Sequence, residues 1–177
     1  MRIAVSGAHR TGKTTLIEEL GRFLPAYVAV DEPYYLLEEE GHDFAEMPSV
    51  EDFELQLERS IECVDHSEDN QIFDRCPADL LAYLIAHRDS DAFDIEPWLP
   101  RARSAMQRLD LVVFVPVESP DRVIAFEEDE LRRRVDDELR DILLGDRWDF
   151  GVDAMEVTGT ARERARQVLV RITAEET

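Results

Sequence analysis

The sequence predicts a three-layer α/β protein in which helices cover both faces of a doubly wound, parallel, five-stranded sheet. Short apolar runs rich in β-branched residues alternate along the chain with longer segments whose apolar residues have helical spacing. The first of these runs is followed directly by a glycine-rich turn and then by a helical segment. Because strands that alternate with helices are joined by right-handed crossovers, this order favours a parallel sheet.

The first two strands and the helix between them are indicated by apolar patterning and by the residues that end each segment. RIAVS, residues 2–6, is a short apolar run closed by glycine, which favours a buried strand. From Lys13 to Leu24 the apolar spacing is helical, and Pro25 ends the helix. AYVAV, residues 26–30, predicts the second strand.

The middle of the chain repeats this order. Ser49 predicts the N-cap of a helix that runs to Val64, and Asp52 completes a capping box with Asp in place of the usual Glu. QIFD, residues 71–74, predicts the third strand. ADLLAYLIAHR, residues 78–88, predicts the helix that follows it.

The last part of the chain supplies two more strands and two more helices. LDLVVFVPV, residues 109–117, is the strongest strand signal, and residues 129–144 predict a charged helix with one apolar face. AMEVTG, residues 154–159, predicts the fifth strand, and residues 161–172 predict the closing helix. No repeat, low-complexity tract or linker interrupts this order, so residues 1–177 are predicted to form a single domain.

Composition and charge narrow the classes of partner and location. The net charge of −21 repels phosphate backbones, which disfavours nucleic acid and anionic membranes as partners. Cys63 and Cys76 have no metal-ligand spacing and indicate reduced thiols. No apolar run approaches the roughly 18 residues of a membrane span, and no signal peptide is evident, so we expect a cytoplasmic protein. The oligomeric state stays open, and a homodimer is compatible with the sequence.

The strongest functional motif is GAHRTGKTT, which satisfies G-x-x-x-x-G-K-S/T directly after a predicted strand and before a predicted helix. Gly7 and Gly12 allow the loop amides to wrap a β-phosphate, and Lys13, the only lysine in the chain, offers a compact ammonium to the β- and γ-phosphates. Thr14 offers a hydroxyl to Mg²⁺. The motif predicts that the following residues bind Mg·ATP: Gly7, Ala8, His9, Arg10, Thr11, Gly12, Lys13, Thr14 and Thr15.

A phosphate-binding loop indicates nucleotide binding but leaves the function open. Guanine-nucleotide switches use N-K-x-D for the base, and this chain has no second lysine for it. They also carry D-x-x-G, which is absent, and large mechanical ATPases need a longer chain. Compact phosphoryl-transfer proteins remain.

Two further segments carry functional motifs: DEPYY follows the second predicted strand, and FDRCP follows the third. With this loop they make the chain resemble the P-loop nucleoside and nucleotide kinases, and most closely the kinase-like ATPases that include the nicotinamide riboside kinase domain. The resemblance implies that Glu32, or with less support Asp31, accepts the proton of the acceptor hydroxyl. It also implies that Asp74 holds Mg²⁺ and that Arg75 stabilises charge on the transferred phosphoryl group. Relatives often have Ser at the position of Cys76, whose role stays open.

Each of these assignments has a structural alternative. Glu32 could serve only as the N-cap of the next helix, and Asp74 with Arg75 could form a surface ion pair. All three follow predicted strand ends, where open α/β sheets gather ligands, and this favours the functional interpretation.

The resemblance also implies a helical lid over about residues 118–145, whose arginines would close over the phosphates. Arg122 and Arg132 are the candidates, because the buried stripe of the predicted helix turns Arg133 outward. A solvated helix face paired with neighbouring acids is the alternative.

The loop after the fifth strand is implied to lie against the adenine. Thr158, Gly159 and Thr160 are therefore candidate base contacts, although Gly-Thr before a helix is also an ordinary turn and cap.

The nature of the acceptor is indicated by the charge of the segment between Arg22 and Arg59, which contains neither lysine nor arginine. A nucleoside monophosphate would need cationic partners there, so we expect a neutral or cationic, nucleoside-like hydroxyl acceptor. Aromatic rings available to it are Tyr34, Tyr35, Phe44 and Phe53. A nucleoside monophosphate kinase and a regulatory module with slow ATP hydrolysis are the alternatives.

Overall fold

The computed structural model describes residues 1–45, 48–118 and 129–175, and its central feature is a parallel sheet. The strands follow the order β2-β3-β1-β4-β5, and every neighbouring pair is parallel. The predicted α/β fold with five parallel strands is therefore confirmed. The strands are β1 (Arg2–Ser6), β2 (Val28–Val30), β3 (Gln71–Asp74), β4 (Leu111–Phe114) and β5 (Ala154–Glu156).

The helices before β5 connect successive strands, and they include elements that the sequence patterns did not predict. Those elements are α2, α5 and a short 3-10 helix at Ser90–Ala92, which all lie in segments without a long apolar stripe. The α-helices are α1 (Lys13–Phe23), α2 (Pro33–Glu39), α3 (Val50–Asp65), α4 (Pro77–Ala86), α5 (Leu99–Met106), α6 (Asp129–Leu143) and α7 (Ala161–Glu175). No helix in these described ranges is long and apolar enough to cross a membrane.

The predicted second, fourth and fifth strands are longer than the observed ones. Residues 26–27 precede β2, while residues 115–117 and 157–159 follow β4 and β5. Some of these residues keep the apolar pattern beyond the ladder because they still pack against the core, as Tyr27, Val115 and Val157 do. Val115 and Val157, for example, are fully buried beyond the ends of their strands.

Alternation along the strands divides the core into two layers. Ile3 and Val5 of β1 face a cluster formed with α1 and α7. Ala4, between them, faces the opposite cluster, to which α3, α4, α5 and α6 contribute. Because successive strand residues point to opposite faces, the sheet is covered on both sides, as the three-layer prediction requires.

The register of the central strands brings their carboxyl ends to one edge. Val5 is opposite Asp74 on one side, and Ser6 is opposite Phe114 on the other. The loop after β1 therefore lies beside the residues that follow β3 and β4. This edge is where open parallel sheets bind ligands, and the predicted site residues converge on it.

Candidate functional site

The loop between β1 and α1 has a backbone shape that requires glycine at two positions. Gly7 has φ 154°, and a Cβ atom there would overlap the carbonyl oxygen of Val115. Gly12 has φ 90°, and a Cβ atom would lie 3.2 Å from the guanidinium of Arg164. Because neither glycine has a Cβ atom, the carbonyl of Val115 and the side chain of Arg164 can lie close to the loop backbone.

The carbonyl oxygens of this loop accept hydrogen bonds from cationic side chains of separate elements. Arg75 Nη1 donates to Gly7 O at 3.1 Å, and Lys13 Nζ donates to Ala8 O at 3.0 Å. Arg132 Nε donates to His9 O at 2.9 Å. Arg164 Nη1 donates to Thr11 O at 2.7 Å. These contacts fix the orientation of the peptide planes, since each plane is rigid.

The amide groups of the loop fall into two sets. The Gly7 N–H donates to Asp79 Oδ1 at 2.9 Å, and the His9 N–H donates to the hydroxyl of Tyr83 at 2.8 Å. In the described parts of the chain, the N–H groups from Arg10 to Thr15 have no protein acceptor. They lead into the N-terminus of α1, so they form a cradle of donors at the positive end of a helix dipole.

Lys13 is enclosed by this cradle and is only 5% exposed. Burial, and after it the nearby guanidinium of Arg75, lower the pKa of its ammonium to about 8, against the opposing effect of Asp74 and Glu32. The free protein thus holds Lys13 in a site that disfavours its charge. A polyanion bound in the cradle would restore the charged form.

Thr14 and Asp74 form a pair of oxygen ligands suited to Mg²⁺. The Thr14 hydroxyl donates to Asp74 Oδ2 at 2.7 Å, while Asp74 Oδ1 is buried and has no hydrogen-bond partner in the part of the chain that the structure describes. Burial raises the pKa of Asp74, an effect that a nearby cation would reverse. The described chain holds no group of three or more His, Cys, Asp or Glu side chains suited to a metal. The pair therefore fits an ion whose remaining ligands are phosphates and water.

Arg75 and Glu32 form a partly buried ion pair beside the loop. Arg75 Nε donates to Glu32 Oε1 at 2.6 Å, and Arg75 is 6% exposed. Burial alone would raise the pKa of Glu32, but Arg75 and then Lys13 outweigh it and hold the pKa below its usual range. A carboxylate and a guanidinium thus lie together beside the phosphate cradle.

The observed contacts of Glu32, Asp74 and Arg75 differ from the purely structural roles considered for them, which were a helix N-cap and a surface ion pair. Glu32 is the N-cap residue of α2 by position, but its side chain makes no capping bond and instead binds Arg75. Asp74 and Arg75 are both buried, so they are not a surface pair. Asp31 is exposed and Glu32 lines the adjacent cavity, which favours Glu32 over Asp31.

Asp79 and Tyr83 of α4 organise the site and were missed by the sequence analysis. Asp79 is fully buried, accepts from the amides of Gly7 and Cys76 at 2.9 Å each, and lies 3.6 Å from Arg75. Its spacing from Cys76 is that of a capping box, a signal hidden because Cys replaces the usual Ser or Thr. The Cys76 thiol donates to Asp79 at 3.4 Å, and burial raises its pKa far above the usual value.

A cavity of about 300 Å³ lies beside the loop and contains the Glu32–Arg75 pair. Tyr34 and Phe53 line it as predicted, and the ring of Phe53 stacks on Tyr83 with centroids 5.2 Å apart. Tyr35 and Phe44 do not line it. The cavity is lined by His9, Arg10, Glu32, Tyr34, Pro48, Phe53, Gln56, Arg75, Leu80, Tyr83 and Leu131.

The predicted lid falls partly within the described residues. Arg132 is buried and reaches the phosphate loop through His9, whereas Arg133 is exposed, as the helix pattern predicted. Arg122 lies outside the described residues. Because Arg132 is buried, it does not lie on a solvated helix face, which was the alternative to the lid.

Two of the three residues predicted to touch the base, Thr158 and Gly159, line a second pocket of about 410 Å³ together with Glu118. The Gly159 N–H donates to Glu118 Oε1 at 2.6 Å. Thr160 is instead engaged with Glu163, whose carboxylate accepts from its amide and hydroxyl at 2.7 Å each. The contacts of Thr160 are therefore those of a helix cap, which was the alternative to a contact with the base.

Comparison with known proteins agrees with this architecture. The family described as AAA domain matches residues 2–164. Deoxyadenosine kinase from M. mycoides with bound dATP has a TM-score of 0.67 at 14% identity, over 98% of this chain and 100% of that chain. Thymidylate kinase from Candida albicans has a TM-score of 0.65 at 18% identity, over 99% and 92%. NadR protein in complex with NR has a TM-score of 0.67 at 18% identity, over 98% of this chain and 50% of that chain. No curated protein sequence matches.

Replacing Tyr83 by Phe should destabilise the loop while retaining the ring stack on Phe53. The change leaves the His9 N–H without its acceptor, so we expect the free energy of unfolding to fall by about 1–2 kcal/mol. Tyr35→Phe, at an exposed ring, is the matched control and should change it by less than about 0.5 kcal/mol. Urea unfolding measures both, and equal effects of the two changes would contradict the role given to the hydroxyl.

Proposed function

Because the chain belongs to the AAA domain family and shares the fold of several small-molecule kinases, we propose that it is an ATP-dependent phosphotransferase. The observation that carries this proposal is the row of amides from Arg10 to Thr15, unpartnered among the described residues, around the buried ammonium of Lys13. Such a cradle fits a polyphosphate. Beside it lies a cavity with a carboxylate at its wall, which fits a hydroxyl acceptor.

The donor is proposed to be Mg·ATP, held through its phosphates by the loop. The residues at the second pocket, Thr158 and Gly159, would lie next to its base. Mg²⁺, bound by Thr14 and Asp74 with the phosphates, would neutralise charge on the β- and γ-oxygens. Lys13 would add its ammonium to the same oxygens.

For the transfer itself, the proposal assigns the base to Glu32 and the stabilisation of charge to Arg75. Glu32 accepts a hydrogen bond from the acceptor hydroxyl and receives its proton as the oxygen attacks the γ-phosphorus. The new O–P bond forms in line while the bond to the β,γ-bridging oxygen breaks, and ADP leaves. Arg75, Lys13 and Arg132 stabilise the negative charge spread over the phosphoryl oxygens.

The acceptor is proposed to be a neutral or cationic hydroxyl compound of nucleoside-like size and shape. The cavity combines stacked aromatic rings with the carboxylate of Glu32. Arg75, its buried cation, already binds Glu32, and Arg59 pairs instead with Glu40 and Glu62. Little positive charge is therefore left for an acceptor phosphate.

One observation favours the nucleoside monophosphate alternative. Arg10 lines the cavity, is exposed, and its side chain has no partner among the described residues. A guanidinium in that position could bind an acceptor phosphate. The two candidate functions therefore differ in whether the acceptor is a nucleoside-like compound without a phosphate or a nucleoside monophosphate.

A regulatory module with slow hydrolysis differs from a kinase in its response to small molecules. ATP consumption should be measured with and without a set of hydroxyl metabolites. A kinase is stimulated by its own acceptor, whereas a module hydrolyses ATP slowly whatever is added.

Replacing Lys13 by Ala should reduce phosphoryl transfer below detection while the protein stays folded. The change removes the ammonium from the phosphate cradle, and removing a buried cation does not disrupt the apolar core. Turnover of ATP and the circular dichroism spectrum measure the two effects. Arg22→Ala, an exposed cation at the end of α1, should leave turnover unchanged. Full activity of the Lys13 variant would refute the proposed donor site.

Replacing Glu32 by Gln should lower kcat by roughly 100-fold or more with little change in the KM for ATP, since a general base acts on the acceptor and not on the donor. Glu39→Gln, at the exposed end of the same helix, should leave both constants unchanged. Steady-state kinetics with saturating acceptor measure them. A kcat within a few-fold of the original would remove Glu32 from the mechanism.

A nucleoside should bind more tightly than its own monophosphate, because the cavity already pairs Arg75 with Glu32. Calorimetric titration of matched pairs, such as adenosine with AMP, measures the difference. Tighter binding of the monophosphate, lost in Arg10→Ala, would instead identify a nucleoside monophosphate kinase.

Binding of Mg·ATP should take up protons at alkaline pH. With a pKa of about 8, the free Lys13 is mostly neutral at pH 8.5, and the triphosphate favours its charged form. We expect an uptake of roughly 0.7 proton per site at pH 8.5 and roughly 0.1 at pH 7, with affinity falling as pH rises above 8. Calorimetry in buffers of different ionisation enthalpy measures this uptake. Lys13→Arg should abolish it, and uptake that persists in that variant would assign it to another group.

A further inference from the structure

Arg164 of α7 joins the phosphate loop to the loop that borders the second pocket. The residue is 7% exposed, and its Nη1 group donates to Thr11 O at 2.7 Å. Its Nη2 group donates to Glu118 Oε1 at 2.9 Å, and the same oxygen accepts from the Gly159 N–H at 2.6 Å. A continuous chain of directed hydrogen bonds thus runs from Thr11 to Gly159.

The bond to Thr11 O controls the direction of a loop amide. In a planar trans peptide the C=O and the following N–H point in opposite directions. Because the Thr11 carbonyl points toward Arg164, the Gly12 N–H of the same peptide plane points away from Arg164. The Gly12 N–H belongs to the row of unpartnered amides, so Arg164 prepares one of the donors of the cradle.

The bond to Glu118 acts at the other end of the donor site. Glu118 and Gly159 both line the second pocket, and their mutual hydrogen bond fixes the backbone of the loop there. Arg164 holds the Glu118 carboxylate in place and compensates its charge in a partly buried position. Removing the guanidinium would therefore loosen both loops at once.

We propose that Arg164 is a positioning residue that couples the base-side loop to the phosphate loop, so that each half of a donor nucleotide organises the binding of the other half. The proposal rests on the proposed function, because it takes these two loops to bind the base and the phosphates. An arginine that only filled space would be replaceable by an apolar side chain of similar length, since burying an ion pair is a poor source of stability.

The experiment compares ligands with and without a base. Calorimetry measures the Kd of Mg·ATP and of magnesium tripolyphosphate for the original protein, Arg164→Met, Glu118→Gln and the double variant. Arg166→Met, on the exposed side of the same helix, is the matched control. Thermal unfolding of each variant separates loss of fold from loss of binding.

Arg164→Met should weaken ATP by at least tenfold and tripolyphosphate by a smaller factor. Glu118→Gln should weaken ATP by several-fold and tripolyphosphate by a smaller factor, because it acts directly on the base side and reaches the Thr11 carbonyl only through Arg164. The double variant should weaken ATP by less than the product of the single effects, as coupled residues do. Arg166→Met should change neither Kd by more than twofold.

Other outcomes overturn the coupling. If Arg164→Met lowers the unfolding temperature but leaves both Kd values within twofold, Arg164 has only a structural role. Independent, multiplicative effects in the double variant would refute the link between the loops. Glu118→Gln is nearly isosteric and keeps the test open if Arg164→Met folds poorly. If the original protein binds neither ligand, the proposed function fails. If the original protein binds ATP and the variants bind it equally well, only the coupling fails.

Discussion

The loop of residues 7–15 depends on cationic side chains that hold its carbonyl oxygens. Arg75 follows β3, Lys13 opens α1, Arg132 belongs to α6 and Arg164 belongs to α7, and each donates to a carbonyl of the loop. Because a carbonyl held on one side turns the next amide to the other, these contacts decide where the loop presents its N–H groups. The phosphate-binding shape is therefore a property of the whole sheet edge and not of the motif alone.

The same constraint accounts for the choice of cations. A guanidinium has several donors in a fixed plane, so Arg75 can bind Glu32 and the Gly7 carbonyl together, and Arg164 can bind Glu118 and the Thr11 carbonyl together. Lys13 has a different task, because a compact ammonium fits among phosphate oxygens. Its buried position lowers its pKa, which is tolerable only where a polyanion restores the charge. One lysine among many arginines thus marks the one position where a point charge is required.

What the sequence could predict depends on how local the responsible contacts are. The loop, α1 and the central strands follow from patterns within a few residues, and the capping box at Ser49 is observed with both of its hydrogen bonds. Arg164 and Thr11 are 153 positions apart, and no local pattern distinguishes Arg164 from the other arginines of α7. Asp79 and Tyr83 were missed because they lie in an apolar helix, where a sequence pattern indicates burial but not what a buried polar group binds. Position within the fold, rather than residue type, gives these side chains their roles.

The Glu32–Arg75 pair places a condition on the proposed transfer. A carboxylate whose pKa is held below the usual range is a weak base, so it cannot deprotonate a hydroxyl before the phosphoryl group moves. Phosphoryl transfer passes through a loose transition state in which the attacking oxygen stays protonated until late, and there a weak base is sufficient. In the proposed transfer, the acceptor hydroxyl would compete with Arg75 for Glu32, and the guanidinium would gain freedom to turn toward the phosphoryl oxygens. The resting ion pair would thus keep the base and the charge-stabilising group inactive until both substrates are present.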